Sequence, residues 1–253
     1  MLDAEQANPV CGDVYAKMFM SGEGLEILEQ FKYLARPNAM NVARPRIIDD
    51  ILRQELSANP NMQIVHIGAG FDSRAYRMQG GTWIELDEPE LIGYKNKCLA
   101  VDACKNKLHR IPISFATESI AEKLEPFKSD QPVIIVIEGV FMYLNEASAK
   151  QTMHSLQAVF PRHKLICDLM SQNFFDKYAH AIHKKFEALG ARFTFTASNP
   201  EQLFINNGYR KMNTVSIASK AVEFKTLKIP KLVLNYLMTT FRTGYSVNIF
   251  ETN

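Results

Sequence analysis

The sequence predicts an α/β protein built on a doubly wound, mostly parallel sheet of seven strands, and three features predict it. Short apolar runs alternate with helical spacings between Gln63 and Leu169. A glycine turn, Gly68-Ala69-Gly70, directly follows the first of these runs. An acid, Asp87, closes the second run nineteen residues after Gly68. Strands joined by helical crossovers imply a parallel sheet with helices on both faces. Ligands of such sheets bind at the carboxyl ends of the strands, where the strand order switches.

Taken in order, Val14 to Glu29 has helical spacing broken at Ser21-Gly22, which predicts two short helices. Arg44-Pro45-Arg46 is expected to open a longer one. Pro45 suits a first helical position, and Ile47, Ile48, Ile51, Leu52 and Leu56 form one apolar stripe. Asn59-Pro60-Asn61 ends it. Strand one is Gln63 to Ile67, followed by the glycine turn and a helix from about Ser73. Gly80-Gly81 turns the chain into strand two, Thr82 to Asp87, and Glu88-Pro89 starts a helix reaching Cys98. Arg110 to Phe115 reads as strand three and Pro132 to Ile137 as strand four. Asn145 caps a helix running to Phe160, with Met153, Leu156 and Val159 turned inward. Lys164 to Leu169 is strand five. Gln172 to Leu189 reads as a helical insertion, and two late strands are expected at Gly208-Tyr209-Arg210 and at Tyr245 to Phe250. With no second glycine turn or core pattern, residues 1–253 read as one domain. Residues 1–60 form an N-terminal helical cover, 61–170 the cofactor-binding core, and 171–253 a variable substrate-side region carrying the late strands.

Composition narrows the function. The 253 residues are 47% hydrophobic and 22% charged, as in ordinary globular proteins. Twenty-nine basic against 27 acidic residues leave +2, a balance that makes no case for nucleic acid or an anionic membrane as partner. Met1 to Glu5 is acidic and lacks the apolar core of a signal peptide. The longest apolar run, Val133 to Leu144, is interrupted by Glu138 and too short to span a bilayer. Cysteines 11, 98, 104 and 167 have neither Cys-x-x-Cys nor metal-ligand spacing, so reduced thiols in a cytoplasmic protein and no metal are expected.

The glycine turn and Asp87 have the spacing of an adenosine-type cofactor site, in which the acid accepts hydrogen bonds from ribose hydroxyls. Asp72 sits where the pyrophosphate of a dinucleotide would need an uncluttered helix N-terminus, and its carboxylate would repel phosphate in a partly dry site. S-adenosylmethionine has a ribose, an ammonium and a sulfonium and no phosphate, so Asp72 is compatible with it. Asp72 also fits the role of helix cap, and both roles can hold together.

The stretches "QIVHIGAGFDSRAYRM", "WIELDEPELIGYK" and "VIIVIEGVFMYLNEASA" resemble three consecutive motifs of the leucine carboxyl methyltransferase family. "ARPRIIDDIL" is similar to its arginine-bearing helix, and "GDVYAKMFM" to its Asp-Pro-Tyr-Ala element, with Val14 in place of proline. The resemblance runs from about residue 12 to 150. The family contains eukaryotic enzymes that methylate a protein's C-terminal leucine and bacterial polyketide O-methyltransferases. It implies a Rossmann-like class I methyltransferase fold, S-adenosylmethionine as donor, and transfer to oxygen, often of a carboxylate. Matched by position, Arg44 falls at the methionyl carboxylate, Gly68 and Gly70 in the cofactor loop, and Asp87 at the ribose. Glu138 falls near the cofactor's amino-acid end, and Tyr143 is the tyrosine facing the acceptor. Phe115-Ala116 stands where the family has Asp-Leu beside adenine, leaving backbone atoms for that contact. No lysine stands ahead of Gly12, whereas eukaryotic members carry one before the Asp-Pro-Tyr element.

Each site residue has a plainer alternative. Glu138 also reads as one half of a structural salt bridge, and Tyr143 as a core aromatic. His66 reads as a neutral core histidine, Arg77 as a surface charge, and Arg74 as a residue facing the cleft. No general base stands out, which favours an acceptor already ionised at neutral pH, such as a carboxylate or acidic hydroxyl. The expected function is therefore S-adenosylmethionine-dependent O-methylation of a small, polyketide-like molecule. The alternatives are a protein C-terminal carboxyl methyltransferase, or a lapsed methyltransferase that binds without turnover.

Overall fold

The computed structural model describes residues 2–195 and 197–253. Seven strands, β1 (Gln63–Ile67), β2 (Thr82–Asp87), β3 (Lys107–Pro112), β4 (Val133–Ile137), β5 (His163–Met170), β6 (Tyr209–Ser216) and β7 (Tyr245–Thr252), make one sheet. Its order is β3-β2-β1-β4-β5-β7-β6. β1 to β5 are parallel, and β7 runs antiparallel to both neighbours. The order switches between β1 and β4, so a cleft opens beyond the carboxyl ends of that central pair.

Strand alternation divides the core in two. Ile64, Ile134 and Val136 face one apolar layer, while Val65, Ile67, Val133, Ile135 and Ile137 face the other. The helices in chain order are α1 (Gly22–Phe31), α2 (Ala35–Ala58), α3 (Arg74–Arg77), α4 (Pro89–Cys98), α5 (Ile120–Leu124) and α6 (Glu146–Val159). Then come α7 (Gln172–Phe174), α8 (His180–Ala188), α9 (Glu201–Asn206), α10 (Ile217–Glu223) and α11 (Thr239–Thr243). A π-helical turn, Phe175–Ala179, joins α7 to α8, so the insertion expected after strand five is one bent helical arm. Ser21 caps α1 and Asn145 caps α6, each side chain accepting a backbone N–H three residues on. Met153, Leu156 and Val159 of α6 are buried against the second layer.

Three expectations need correction. The long helix starts at Ala35, with Pro45 in its interior, because Ala39, Met40 and Ala43 are buried within the two turns ahead of the proline. That packing outweighs the hydrogen bond that Pro45, lacking an N–H, withholds from the Asn41 carbonyl. β3 lies three residues earlier than Arg110 to Phe115. Its polar residues Lys107, His109 and Arg110 pair with β2, while Ile113 continues past the strand through an N–H bond to the Asp87 carbonyl. The helix after the glycine turn starts at Arg74 and lasts one turn.

Candidate active site

The loop after β1 is built by two glycines that do different things. Gly68 has φ +67°, and a Cβ there would run into the Val140 side chain. Gly70 has φ +46°, and the space a Cβ would occupy is open. Asp87, at the end of β2, accepts the Gly70 N–H at 2.6 Å and the Glu88 N–H at 2.8 Å. The acid thus fixes the loop, and each carboxylate oxygen keeps an unused lone pair.

Beyond the loop lies a cavity of about 320 Å³, whose lining includes Arg44, His66, Gly68, Gly70, Asp72 and Glu138. Its wall is a buried ion network. Arg74 donates from Nε to Asp49 at 2.6 Å, from Nη1 to Asp72, and from Nη2 to the Pro45 carbonyl at 3.2 Å. The same Nη2 lies 2.9 Å from Glu138. Arg44 donates from Nε to Glu138 at 2.9 Å and from Nη1 to Asp168 at 3.2 Å and to the Tyr245 hydroxyl at 2.6 Å. The Tyr245 hydroxyl donates in turn to Asp168, whose other oxygen accepts the Gly139 N–H.

This wiring sets the protonation states. Burial alone would raise the Asp72 and Glu138 carboxyls, but the guanidinium of Arg74, joined at Glu138 by that of Arg44, holds both below their ordinary values. Burial drives His66 downward, so it is neutral. Burial raises the Tyr143 and Tyr245 hydroxyls, so both stay protonated at neutral pH.

Asp72 is not the N-cap of α3, a position that Ser73 holds without a side-chain bond, but it does take the first N–H of that helix. Its Oδ1 accepts the Arg74 N–H at 2.7 Å while Oδ2 takes the Arg74 side chain. Arg77 is not a surface charge: it is nearly buried and reaches Asp49 at 2.7 Å and the Ser73 hydroxyl at 2.8 Å. Arg74 is buried in the wall rather than projecting into the cleft. Phe115 is half-buried against the second core layer and Ala116 is exposed; neither lines the cavity, although their turn follows β3 beside Asp87. Asp49, Asp168 and Tyr245 complete the network and were not singled out from the sequence. Asp168 carried one signal, an acid near the carboxyl end of an apolar strand.

A second cavity of about 440 Å³ adjoins the first, and Asn41 and Arg44 line both. Tyr143, Phe174, Tyr178, Phe193 and Phe241 give it an aromatic wall. Tyr143 stands edge-on to Phe193, with ring centroids 5.1 Å apart. Among the described residues lining it there is no histidine, aspartate or glutamate, whereas Arg36, Arg44 and Lys177 are present.

The sequence profile of the leucine carboxyl methyltransferase family matches residues 1–157, more than half of the chain. The chain belongs to the leucine carboxyl methyltransferase family. This is a family of S-adenosylmethionine-dependent methyltransferases, and S-adenosylmethionine is the cofactor of this chain. The tetracenomycin polyketide synthesis O-methyltransferase TcmP of Streptomyces glaucescens is 25% identical over 207 residues, covering 80% of this chain and 73% of that protein. A Mycobacterium bovis relative is 29% identical over 170 residues, 60% of this chain. That match takes in 52% of the relative, so the chain spans about half its length. The magnesium protoporphyrin IX methyltransferase of Synechocystis, solved with bound S-adenosylhomocysteine, superposes with a TM-score of 0.55. It covers 94% of this chain and 92% of its own at 13% identity, which establishes the class I methyltransferase fold for both.

The first cavity suits the cofactor on two grounds. The open face of Gly70 leaves room for close approach beside Asp87. Four lining carboxylates, Asp3, Asp13, Asp72 and Glu138, meet three guanidiniums, Arg44, Arg74 and Arg77, which Asp49 and Asp168 also pair from behind, so the wall is net negative. That complements S-adenosylmethionine, whose ammonium and sulfonium outweigh its carboxylate by one, and opposes a pyrophosphate.

Proposed function

We propose that this family member methylates an oxygen of an apolar, aromatic small molecule, at a carboxylate or acidic hydroxyl. The observation that carries the reading is the makeup of the second cavity: aromatic walls, three cations and, among the described residues lining it, no histidine, aspartate or glutamate to serve as a general base. An acceptor that is already anionic needs none, so positioning and desolvation suffice. The name of TcmP, an O-methyltransferase of tetracenomycin polyketide synthesis, supports oxygen as the methylated atom and a polyketide-like acceptor.

In this reading Asp87 binds the ribose hydroxyls, and the Phe115-Ala116 turn offers backbone to the adenine. Gly68 and Gly70 admit the cofactor, while Arg44, Asp72 and Glu138 surround its amino-acid end. S-adenosylmethionine, when bound, supplies the electrophilic methyl group. Tyr143, protonated at neutral pH, donates a hydrogen bond that orients the acceptor oxygen. Asp168 and Tyr245 hold Arg44 in the wall shared by the two cavities. The aromatic wall excludes water from the acceptor, strengthening its contacts with the cations. Residues 1–60 serve as the helical cover and 171–253 as the acceptor side of a single domain.

Methyl transfer from labelled S-adenosylmethionine to an aromatic carboxylic acid, its methyl ester and a protein phosphatase catalytic subunit tests this. The acid is methylated and the ester is not. Labelling of the phosphatase subunit alone would move the function to a protein C-terminus, and cofactor binding without any transfer would mark a lapsed enzyme.

A further inference from the structure

The cations of the chain are not evenly placed. Between Phe224 and Phe250 stand Lys225, Lys228, Lys231 and Arg242, with no aspartate or glutamate. Within this stretch a π-helical turn, Val233–Leu237, is anchored by the buried Leu234. Its other apolar residues point outward: Leu232 is 72% exposed, Tyr236 77% and Leu237 80%, with Val233 at 36%. Two adjacent apolar residues recur one turn on, so they share a face, and the exposed Lys225, Lys228 and Lys231 lead into it. Single exposed apolar side chains are ordinary, but a cluster rimmed by one sign of charge marks a contact surface.

We propose that this turn docks on an anionic lipid surface, with Leu232, Tyr236 and Leu237 in the headgroup boundary and the three lysines on the lipid charges. A basic apolar turn lying in the interface is the arrangement such surfaces hold. No helix among the described residues is long and apolar enough to cross a membrane, so the contact is peripheral. A second copy of the chain fits less well, because a two-fold contact through this face would set the lysines against their own copies. The whole-chain balance of +2 conceals the patch, since the offsetting acids lie elsewhere in the sequence. The α11 helix follows directly, and its Phe241 lines the second cavity, so docking brings that cavity close to the lipid. The contact requires no assumption about which acceptor is methylated.

Co-sedimentation of the full chain with phosphatidylcholine vesicles, with and without phosphatidylglycerol, tests it. Binding is expected only to the anionic vesicles. It weakens roughly fivefold for each of Lys228→Gln and Lys231→Gln, from about one kilocalorie per mole per surface cation, and falls at high salt. Tyr236→Ser with Leu237→Ser abolishes it while the far-ultraviolet circular dichroism and melting temperature stay unchanged. Absence of sedimentation with anionic vesicles, or equal binding to neutral ones, overturns the proposal. So does lipid-free dimerisation in the ultracentrifuge that Leu237→Ser abolishes, which would make a second copy the occupant.

Discussion

Replacing Arg74 by methionine removes a buried guanidinium and keeps an unbranched stem. Asp49, Asp72, Glu138 and the Pro45 carbonyl each lose a partner. Asp49 retains Arg77 at 2.7 Å and Arg53 at 3.3 Å, and Glu138 retains Arg44 at 2.9 Å. Asp72 retains the residue-74 N–H at 2.7 Å and the His66 ring at 3.9 Å. The uncompensated charge is therefore Asp72. Breaking a buried pair from one side costs about 3–5 kcal/mol, against a total stability on the order of 5–15 kcal/mol. Arg74→Met should fold, with its melting temperature lowered by roughly 6–20 °C at about 2–4 °C per kcal/mol. Adding Asp72→Asn to Arg74→Met should return roughly 1–3 kcal/mol, because the two sites share one interaction.

The pH dependence follows from the depressed carboxyls of Asp72 and Glu138. Their stabilisation is present above the unfolded carboxyl range, near pH 4, and is lost as pH falls through the lower folded values. Without Arg74 these carboxyls move upward, so the gap between wild type and variant is widest at neutral pH and closes in acid. Urea unfolding followed by circular dichroism at a series of pH values reads it. A cost under about 1 kcal/mol at neutral pH, or no gain from Asp72→Asn, would refute the network as described.

Gly68→Ala meets both a left-handed backbone and Val140 and should lose about 1–3 kcal/mol in thermal unfolding. Gly70→Ala finds open space, so its larger loss should appear in calorimetric affinity for the cofactor. His163 is buried with a pKa lowered to about 4, one ring nitrogen on the Phe160 carbonyl and the other on the Tyr209 hydroxyl. Its neutral form is the folded one, so stability falls as pH drops from 6.5 toward 4, on the order of 3 kcal/mol in all; His163→Gln should flatten that part of the urea-unfolding profile. Lys177→Glu should raise KM for anionic acceptors roughly fivefold or more with little change in kcat, a steady-state measurement in which a neutral acceptor would show no such shift.

The parts of this molecule legible in sequence are those fixed by neighbours along the chain. β1 and β2 lie where the apolar runs put them, Gln63–Ile67 and Thr82–Asp87, because both are buried on two faces and bounded by turn residues. The loop of Gly68 and Gly70 with Asp87 follows from one turn and one strand end. β3 was misread by three residues because it edges the sheet and carries a polar face, leaving Ile111, Ile113 and Phe115 as the only visible run. The start of α2 was misread because a proline rule competed with the burial of Ala39, Met40 and Ala43, and burial won. The ion network was illegible for a different reason. Arg44 meets Glu138, Asp168 and Tyr245 at separations of 94, 124 and 201 residues, and no local pattern encodes such meetings. Arg77 looked solvent-facing because its partner, Asp49, sits on α2 beside an apolar stripe that hid its burial. The aromatic wall was illegible because its members come from five separate places: Tyr143 after β4, Phe174 in α7, Tyr178 in the π-helical turn, Phe193 in the loop after α8 and Phe241 in α11.

The central claim divides the site: Asp87 serves the cofactor and Tyr143 the acceptor. Titration calorimetry of S-adenosylmethionine into wild type, Asp87→Ala and Tyr143→Phe tests it in one experiment. On the proposed roles, Asp87→Ala removes charged hydrogen bonds to two ribose hydroxyls, about 1.5–3 kcal/mol each, and it frees the Gly70 N–H. Cofactor affinity should then fall by roughly two to four orders of magnitude, at about tenfold per 1.4 kcal/mol. Tyr143→Phe keeps the ring against Phe193 and should bind the cofactor as wild type does. Equal weakening in both variants, or no saturable binding to wild type at millimolar cofactor, would contradict the account.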